Sequence, residues 1–265
     1  MGFKNLKYEL EDGVARVTLA RPPRNSIGLA TARELMQVAI RCDEDERVRA
    51  VLITAEGAAF SAGGDLNEFA DSGNELPALL KELTTHLHAG VSRLVRSRAP
   101  VVCAVGGAVA GGGLSLVLAS DLVLAAESAK FRYGYYRIGL SPDGSSTYFL
   151  PRLLGMRRAM EFALMDRALS AEEACEWGLV NRVVVDAELG EAASRMATEL
   201  AEGPTTSFGA AKLLFHRGWT ETLETQMELE ARTLSDKLKL MSIAVIAAKA
   251  ISQANGRSTS TVRCE

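Results

Sequence analysis

Five glycines crowd into residues 106–113, set between the apolar run Val101–Val105 and a second apolar stretch from Leu114 to Ala119. Residues 101–105 follow Pro100, have strand length and carry no polar side chain, which is the pattern of a strand buried on both faces. Residues 114–119 read as a short helix. A glycine-rich turn between a buried strand and a helix is a βα connection, and such connections place functional loops along one edge of an α/β sheet. A second loop of small residues, Phe60-Ser61-Ala62-Gly63-Gly64-Asp65-Leu66, follows another short apolar run at residues 48–54.

The rest of the first half keeps the alternation. Residues 6–10 and 14–19 flank an Asp12-Gly13 pair and read as a hairpin. Arg21-Pro22-Pro23-Arg24-Asn25 breaks the pattern as a loop. Helical spacing then places Ala32, Leu35, Met36, Ala39 and Ile40 on one face, and Leu83, Leu87, Val91 and Leu94 on a face of a longer helix. Residues 122–125 give another buried strand. The second half turns helical: a stripe over residues 156–165, a capping-box pair Ser170 and Glu173, a lone strand at 183–185, then helix from Leu189 to about Gln253, broken at Gly203-Pro204 and Gly218. The expected division is a core over residues 1–200 and a helical C-terminal region over 201–265.

A net charge of −3 over 265 residues argues against nucleic-acid or membrane-surface binding through bulk charge. No run of about 18 apolar residues marks a membrane span, and no basic leader precedes an apolar segment at the start. The four cysteines, Cys42, Cys103, Cys175 and Cys264, are far apart and form no CxxC pair. Three of them sit inside apolar or helical patterns and fit buried thiols, and a reducing, cytoplasmic setting is expected. The three histidines include His86 and His88 on one helix, without the ligand spacing of a zinc site, so no metal is expected.

Glycine permits positive φ and lets a ligand approach the backbone. At a helix start, unpaired N–H groups point outward and favour negative charge. Two such loops converging supply two donors to one developing oxyanion, the arrangement acyl chemistry uses. Tight strand-to-helix packing explains the same glycines from spacing alone. No Gly-Lys-Ser/Thr follows either loop, G-x-G-x-x-G spacing is missing, and Ser115 lacks the second glycine of a nucleophile elbow.

At these loops the chain resembles the crotonase, or enoyl-CoA hydratase/isomerase, superfamily. The resemblance is carried by Arg21-Pro22 with Asn25, Phe60 to Leu66, and Ala104 to Gly113. It continues through Ser120-Asp121-Leu122-Val123-Leu124-Ala125, Ala129-Lys130-Phe131, Ile138 to Asp143, Leu169 to Ala174 and Trp177-Gly178-Leu179-Val180. It covers roughly residues 5–235. It implies an α/β fold built as a spiral of ββα units, a helical C-terminal region that trimerises, often a dimer of trimers, and a coenzyme A thioester as substrate with no permanently bound cofactor. By position Gly64 and Gly112 look like paired oxyanion-hole amides, and Ala62, Gly64, Asp65 and Leu66 like the backbone that grips the coenzyme. Arg24 sits where the family often places a cation near the phosphates; the lesser alternative is a solvated loop charge, since this loop runs one residue short.

The departures bear on the reaction. The family's hydratases use two glutamates, and here Ser115 and Tyr135 hold those positions. Pro142-Asp143 resembles instead the branch with dienoyl-CoA isomerases and 1,2-epoxyphenylacetyl-CoA isomerase of phenylacetate breakdown, so the resemblance implies Asp143 as a proton shuttle that moves a double bond. Pro-Asp-Gly is also a common turn. Tyr133, Tyr135 and Tyr136 read as acyl-pocket lining or as packing. A hydratase with another base, or a silent acyl-CoA-binding trimer, remains open. The family's usual C-terminal coenzyme contact is replaced by an apolar stretch from Met241, with Lys249 as a substitute cation.

Overall fold

A computed structural model describes residues 2–239; Met241 to Glu265, with Lys249 and Cys264, lie outside the described residues. The chain forms two compact units, residues 1–209 and 210–265. In the first, β1 (Leu6–Glu11) and β2 (Val14–Leu19) pair antiparallel from Leu6↔Leu19 to Glu11↔Val14. Asp12 and Gly13 both have positive φ, +48° and +80°, the geometry of a type I′ turn, which is why Asp-Gly closes this hairpin. After α1 (Leu29–Glu44) come β3 (Ala50–Ala55), β4 (Ala59–Ser61), α2 (Leu66–Asp71) and α3 (Leu76–Arg96). Then follow β5 (Val101–Val105), β6 (Ala108–Ala110), α4 (Gly111–Leu118), β7 (Leu122–Ala126) and β8 (Lys130–Arg132). The remainder is α5 (Ser146–Leu154), α6 (Met156–Met165), β9 (Leu169–Ser170), α7 (Ala171–Glu176), β10 (Arg182–Val184), α8 (Leu189–Glu202), α9 (Thr205–Arg217) and α10 (Leu223–Lys239).

Six strands form one sheet in the order β1-β2-β3-β5-β7-β10, and four form a second, β4-β6-β8-β9. Three successive turns of chain each give a strand to the large sheet and then a short one to the small sheet: β3 then β4, β5 then β6, β7 then β8. The 183–185 strand expected alone is β10, the parallel edge partner of β7. The large sheet is covered on both faces, so its central strands are apolar without alternation. Val51, Ile53, Val101, Cys103 and Val105 point into the main core with α1 and α3. Ala50, Leu52, Val102 and Ala104, one residue out of phase, meet the alanine face of α8, Ala193, Ala197 and Ala201. Ser170 and Glu173 make the expected capping box on α7. Among the described residues no helix is long and apolar enough to cross a membrane.

Candidate active site

Both glycine loops leave the small sheet side by side. β4 and β6 pair in parallel; the first runs into Ala62-Gly63-Gly64, the second into Gly111-Gly112 at the start of α4. Asn25 ties the first loop down: its side-chain N–H groups donate to the Glu56 and Ala59 carbonyls at 2.7 and 2.8 Å, and its own carbonyl accepts from Ser61 Oγ at 2.8 Å. Ile27 N–H donates to the Gly63 carbonyl at 2.7 Å and Asp65 N–H to the Ile27 carbonyl at 3.2 Å. Among the described residues the intervening Gly64 N–H has no such partner. Gly112 is the second residue of α4, so no carbonyl four residues back receives its N–H.

Packing accounts for some of these glycines and not others. Gly63 has φ +86°, and a Cβ there would lie 2.8 Å from the Ala110 carbonyl oxygen and 3.3 Å from Gly112 N, so its absence lets the two loops touch. A Cβ at Gly113 would lie 2.4 Å from Ser61 Cβ. At Gly112 it would meet only Ile27 Cδ1 and Leu87 Cδ2 at 3.6 Å, ordinary contact.

A cavity of about 450 Å³ opens between the loops. Ala62, Gly64, Leu66, Gly112, Tyr135 and Asp143 all line it, and its remaining wall is largely apolar side chains from α2, α3 and the 137–142 segment. Among the described residues, Asp143 is the one carboxylate in that lining. Two residues singled out in the sequence do not join it. Arg24 is exposed on its loop, where its carbonyl accepts the Ala62 N–H at 2.8 Å. Asp65 is buried, accepts the Asn67 and Glu68 N–H groups as the cap of α2, and pairs with Arg21. Burial works against its charge, but the Arg21 guanidinium and those N–H groups hold its carboxyl below the usual range.

Asp143 is held by hydroxyls. Tyr135, in a 3-10 turn bounded by Gly134 and Gly139, donates to Asp143 Oδ1 at 2.7 Å. Ser115, fully buried on α4, donates to the Asp143 carbonyl at 3.1 Å and lies 3.4 Å from Tyr135 Oη. Burial, reinforced by the neighbouring Asp143 charge, pushes the Tyr135 hydroxyl far above its ordinary pKa, so it stays a donor. The tyrosines divide: Tyr135 lines the cavity, Tyr133 is core, and Tyr136 is exposed.

Residues 9–245 match the sequence model of the family described as Enoyl-CoA hydratase/isomerase. The chain belongs to this family. A 1,2-epoxyphenylacetyl-CoA isomerase of Escherichia coli is 40% identical over 223 residues, 83% of this chain and 85% of the relative. A probable enoyl-CoA hydratase of Rhodobacter capsulatus is 39% identical over 233 residues, 88% and 89% of the two chains. The crystal structure of a putative enoyl-CoA hydratase from Streptomyces coelicolor superposes with a TM-score of 0.89 at 29% identity, covering 95% of this chain and 93% of the other. The fold is therefore the crotonase fold, and the chain is a crotonase-family enzyme acting on coenzyme A thioesters.

Within that enoyl-CoA hydratase/isomerase framework the sequence reading missed His88. From α3 its Nε2 accepts the Gly144 N–H at 3.0 Å and stands 3.8 Å from Asp143 Oδ2. In the sequence it stands out only beside His86 as half of a metal pair; its place directly after the core residue Leu87, on the rim of the buried face of α3, is the available signal. Also unread were Arg132 and Arg137 of the cavity wall, both paired with Asp166.

Proposed function

We propose that this enzyme is an enoyl-CoA isomerase in which Asp143 carries a proton along the acyl chain. The observation that supports this reading is Asp143 itself, the single carboxylate that the described residues give to the lining, in the same cavity as Gly64 and Gly112. The Gly64 and Gly112 amides receive the thioester oxygen. Asp143 takes a proton from the acyl chain: a C–H bond breaks, an O–H bond forms, and the electron pair passes into an enolate whose charge rests on that oxygen. Asp143 then returns the proton to a different carbon, the O–H breaks, and the double bond has moved without water entering. One carboxylate serves as base and then as acid, and each amide donor contributes roughly 3–4 kcal/mol to holding the enolate. Ser115 and Tyr135, standing where hydratases carry glutamates, orient Asp143 instead of opposing it with a second carboxylate.

The Ala62 to Leu66 segment and exposed Arg24 hold the coenzyme, whose phosphates Arg24 meets from solvent. Assembly as a homotrimer or a pair of trimers is supported by the exposed stripe Met156, Met160 and Leu164 on α6 and, in the C-terminal region, by exposed Phe215, Leu223 and Met227. The described cysteines are free, which suits the reducing cytoplasm.

The test mixes the protein in heavy water with a 3-enoyl-CoA, a 2-enoyl-CoA and an epoxyphenylacetyl-CoA, following mass and deuterium. Double-bond migration or deuterium uptake without mass gain from water, lost in Asp143→Asn while ester binding persists, supports the isomerase. Water addition to the 2-enoyl ester overturns it in favour of a hydratase. Binding without turnover of any ester favours a silent binder.

A further inference from the structure

The segment carrying Asp143 is awkward for a chain to adopt. Gly144 has φ +62° and Ser145 φ +71°, two consecutive residues in the left-handed region, and the second is not glycine. Such a backbone persists only where its surroundings over-determine it. Hydroxyls on the Asp143 carbonyl and an imidazole on the Gly144 N–H do so, Ser146 Oγ donating to that carbonyl at 2.9 Å. Ser115 of α4 holds the Asp143 carbonyl, and His88 of α3 holds the Gly144 N–H at 3.0 Å. Because that nitrogen, Nε2, accepts, the imidazole carries its hydrogen on Nδ1. Asp143 Oδ2, the carboxylate oxygen that does not take the Tyr135 hydrogen bond, stands 3.8 Å from the same nitrogen.

We infer that His88 is the positioning residue for Asp143: neutral, it fixes the 143–145 turn through the Gly144 N–H and leaves Oδ2 free to take a proton; protonated, it lets the turn go and pairs with Oδ2. A second proton has only Nε2 to occupy. It removes the acceptor from Gly144 and directs an N–H toward the carboxylate, so one event undoes the geometry and engages the base. Of the charged groups on α3 and on α1, which packs against it, Glu82 and His86 bond Arg33, and Arg93 bonds Asp43. Lys81 of α3 belongs to the cavity wall. Asp143 is the charged group His88 meets across the turn.

This inference rests on the isomerase reading for its kinetic consequence, and the experiment carries a second readout that does not. His88→Ala and His88→Gln are compared with the wild-type full chain, using the 3-enoyl-CoA and measuring Gly144 amide-exchange protection by NMR across pH. Glutamine offers a carbonyl oxygen near Nε2 and does not titrate. In His88→Ala, kcat falls about a hundredfold, as for a misplaced catalytic group, with KM little changed, and Gly144 protection is lost at every pH. In His88→Gln most of kcat and the protection return, and neither changes in acid, whereas both should fall there in the wild type. Unchanged kcat or unchanged Gly144 protection in His88→Ala overturns the inference, as does a His88→Gln protein no better than His88→Ala. Absence of wild-type turnover refutes the isomerase alone, and the exchange data still decide the role of His88.

Discussion

Replacing Gly144 by alanine puts a methyl group where the structure has no room. The added Cβ would lie 2.5 Å from Ser115 Oγ and 2.6 Å from Ser115 Cβ, both on a buried helix that cannot swing aside. Two costs add. Holding alanine in the left-handed region costs about 1–2 kcal/mol, and overpacking a filled site costs typically about 1–3 kcal/mol more, so the variant loses roughly 2–5 kcal/mol. The two terms separate in a double-mutant cycle. In a Ser115→Gly background both clashing atoms are gone and only the backbone cost remains, since the next neighbour, Leu87 Cδ2, stands at 3.8 Å. Urea unfolding of the four proteins at one protein concentration, followed by far-ultraviolet circular dichroism, should give a favourable coupling of about 1–3 kcal/mol. Additivity within about 0.5 kcal/mol would refute the steric argument and leave φ as the whole effect.

Gly63→Ala should lower both stability and activity, because its Cβ strikes the Ala110 carbonyl and forces the loops apart; Gly112→Ala should fold normally, a contrast read from melting temperatures of the two variants. Burial disfavours charge on Asp166, but the Arg137 guanidinium, the Gly134 N–H and Arg132 outweigh it and hold its carboxyl below the usual range. A depressed carboxyl stabilises the fold above its unfolded value, near pH 4, and that contribution fades as pH falls through the lower folded value. Asp166→Asn should therefore cost about 1–3 kcal/mol at pH 7 and progressively less in acid, measured by urea titration at both pH values; an equal loss at both would sink the linkage. Burial pushes the Cys42 thiol up to about 12 and raises Cys103 as well. Both should resist thiol reagents at pH 8 until denaturant is added, while half-buried Cys175 reacts before either of them, as peptide mapping would show.

Much of this architecture is written in local pattern. The apolar face of α3 and the double-sided burial of β3 and β5 follow from period and composition, and Asp12-Gly13 names its own turn. β4, β6 and β8 do not, because three residues are too few to display a period; β4 and β6 read as loop inside their glycine-rich stretches, although they belong to the small sheet from which both loops emerge. Gly64, Gly112 and Asp143 were found through motif order, and the structure brings them to one cavity. His88 lies 55 positions from Asp143 along the chain, and nothing local in either segment announces that α3 crosses the 143–145 turn. Asp65 shows the converse: adjacent in sequence to a cavity residue, it faces α2 and Arg21 because a helix begins there and needs a cap.

The parallel pairing of β4 with β6 has a further consequence. Adjacent strands in any sheet stand about 4.8 Å apart, and each glycine loop departs within three residues of its strand's end. The gap between the two loops is thus inherited from the repeat distance of backbone hydrogen bonding, which no side chain sets. The wall that faces them, from α3 and the 135–143 segment, is made of side chains and can be rebuilt one residue at a time. A protein engineer would accordingly treat the paired strands as a fixed jaw and the opposite wall as the adjustable one, altering which acyl group fits while the grip on its carbonyl keeps its gauge.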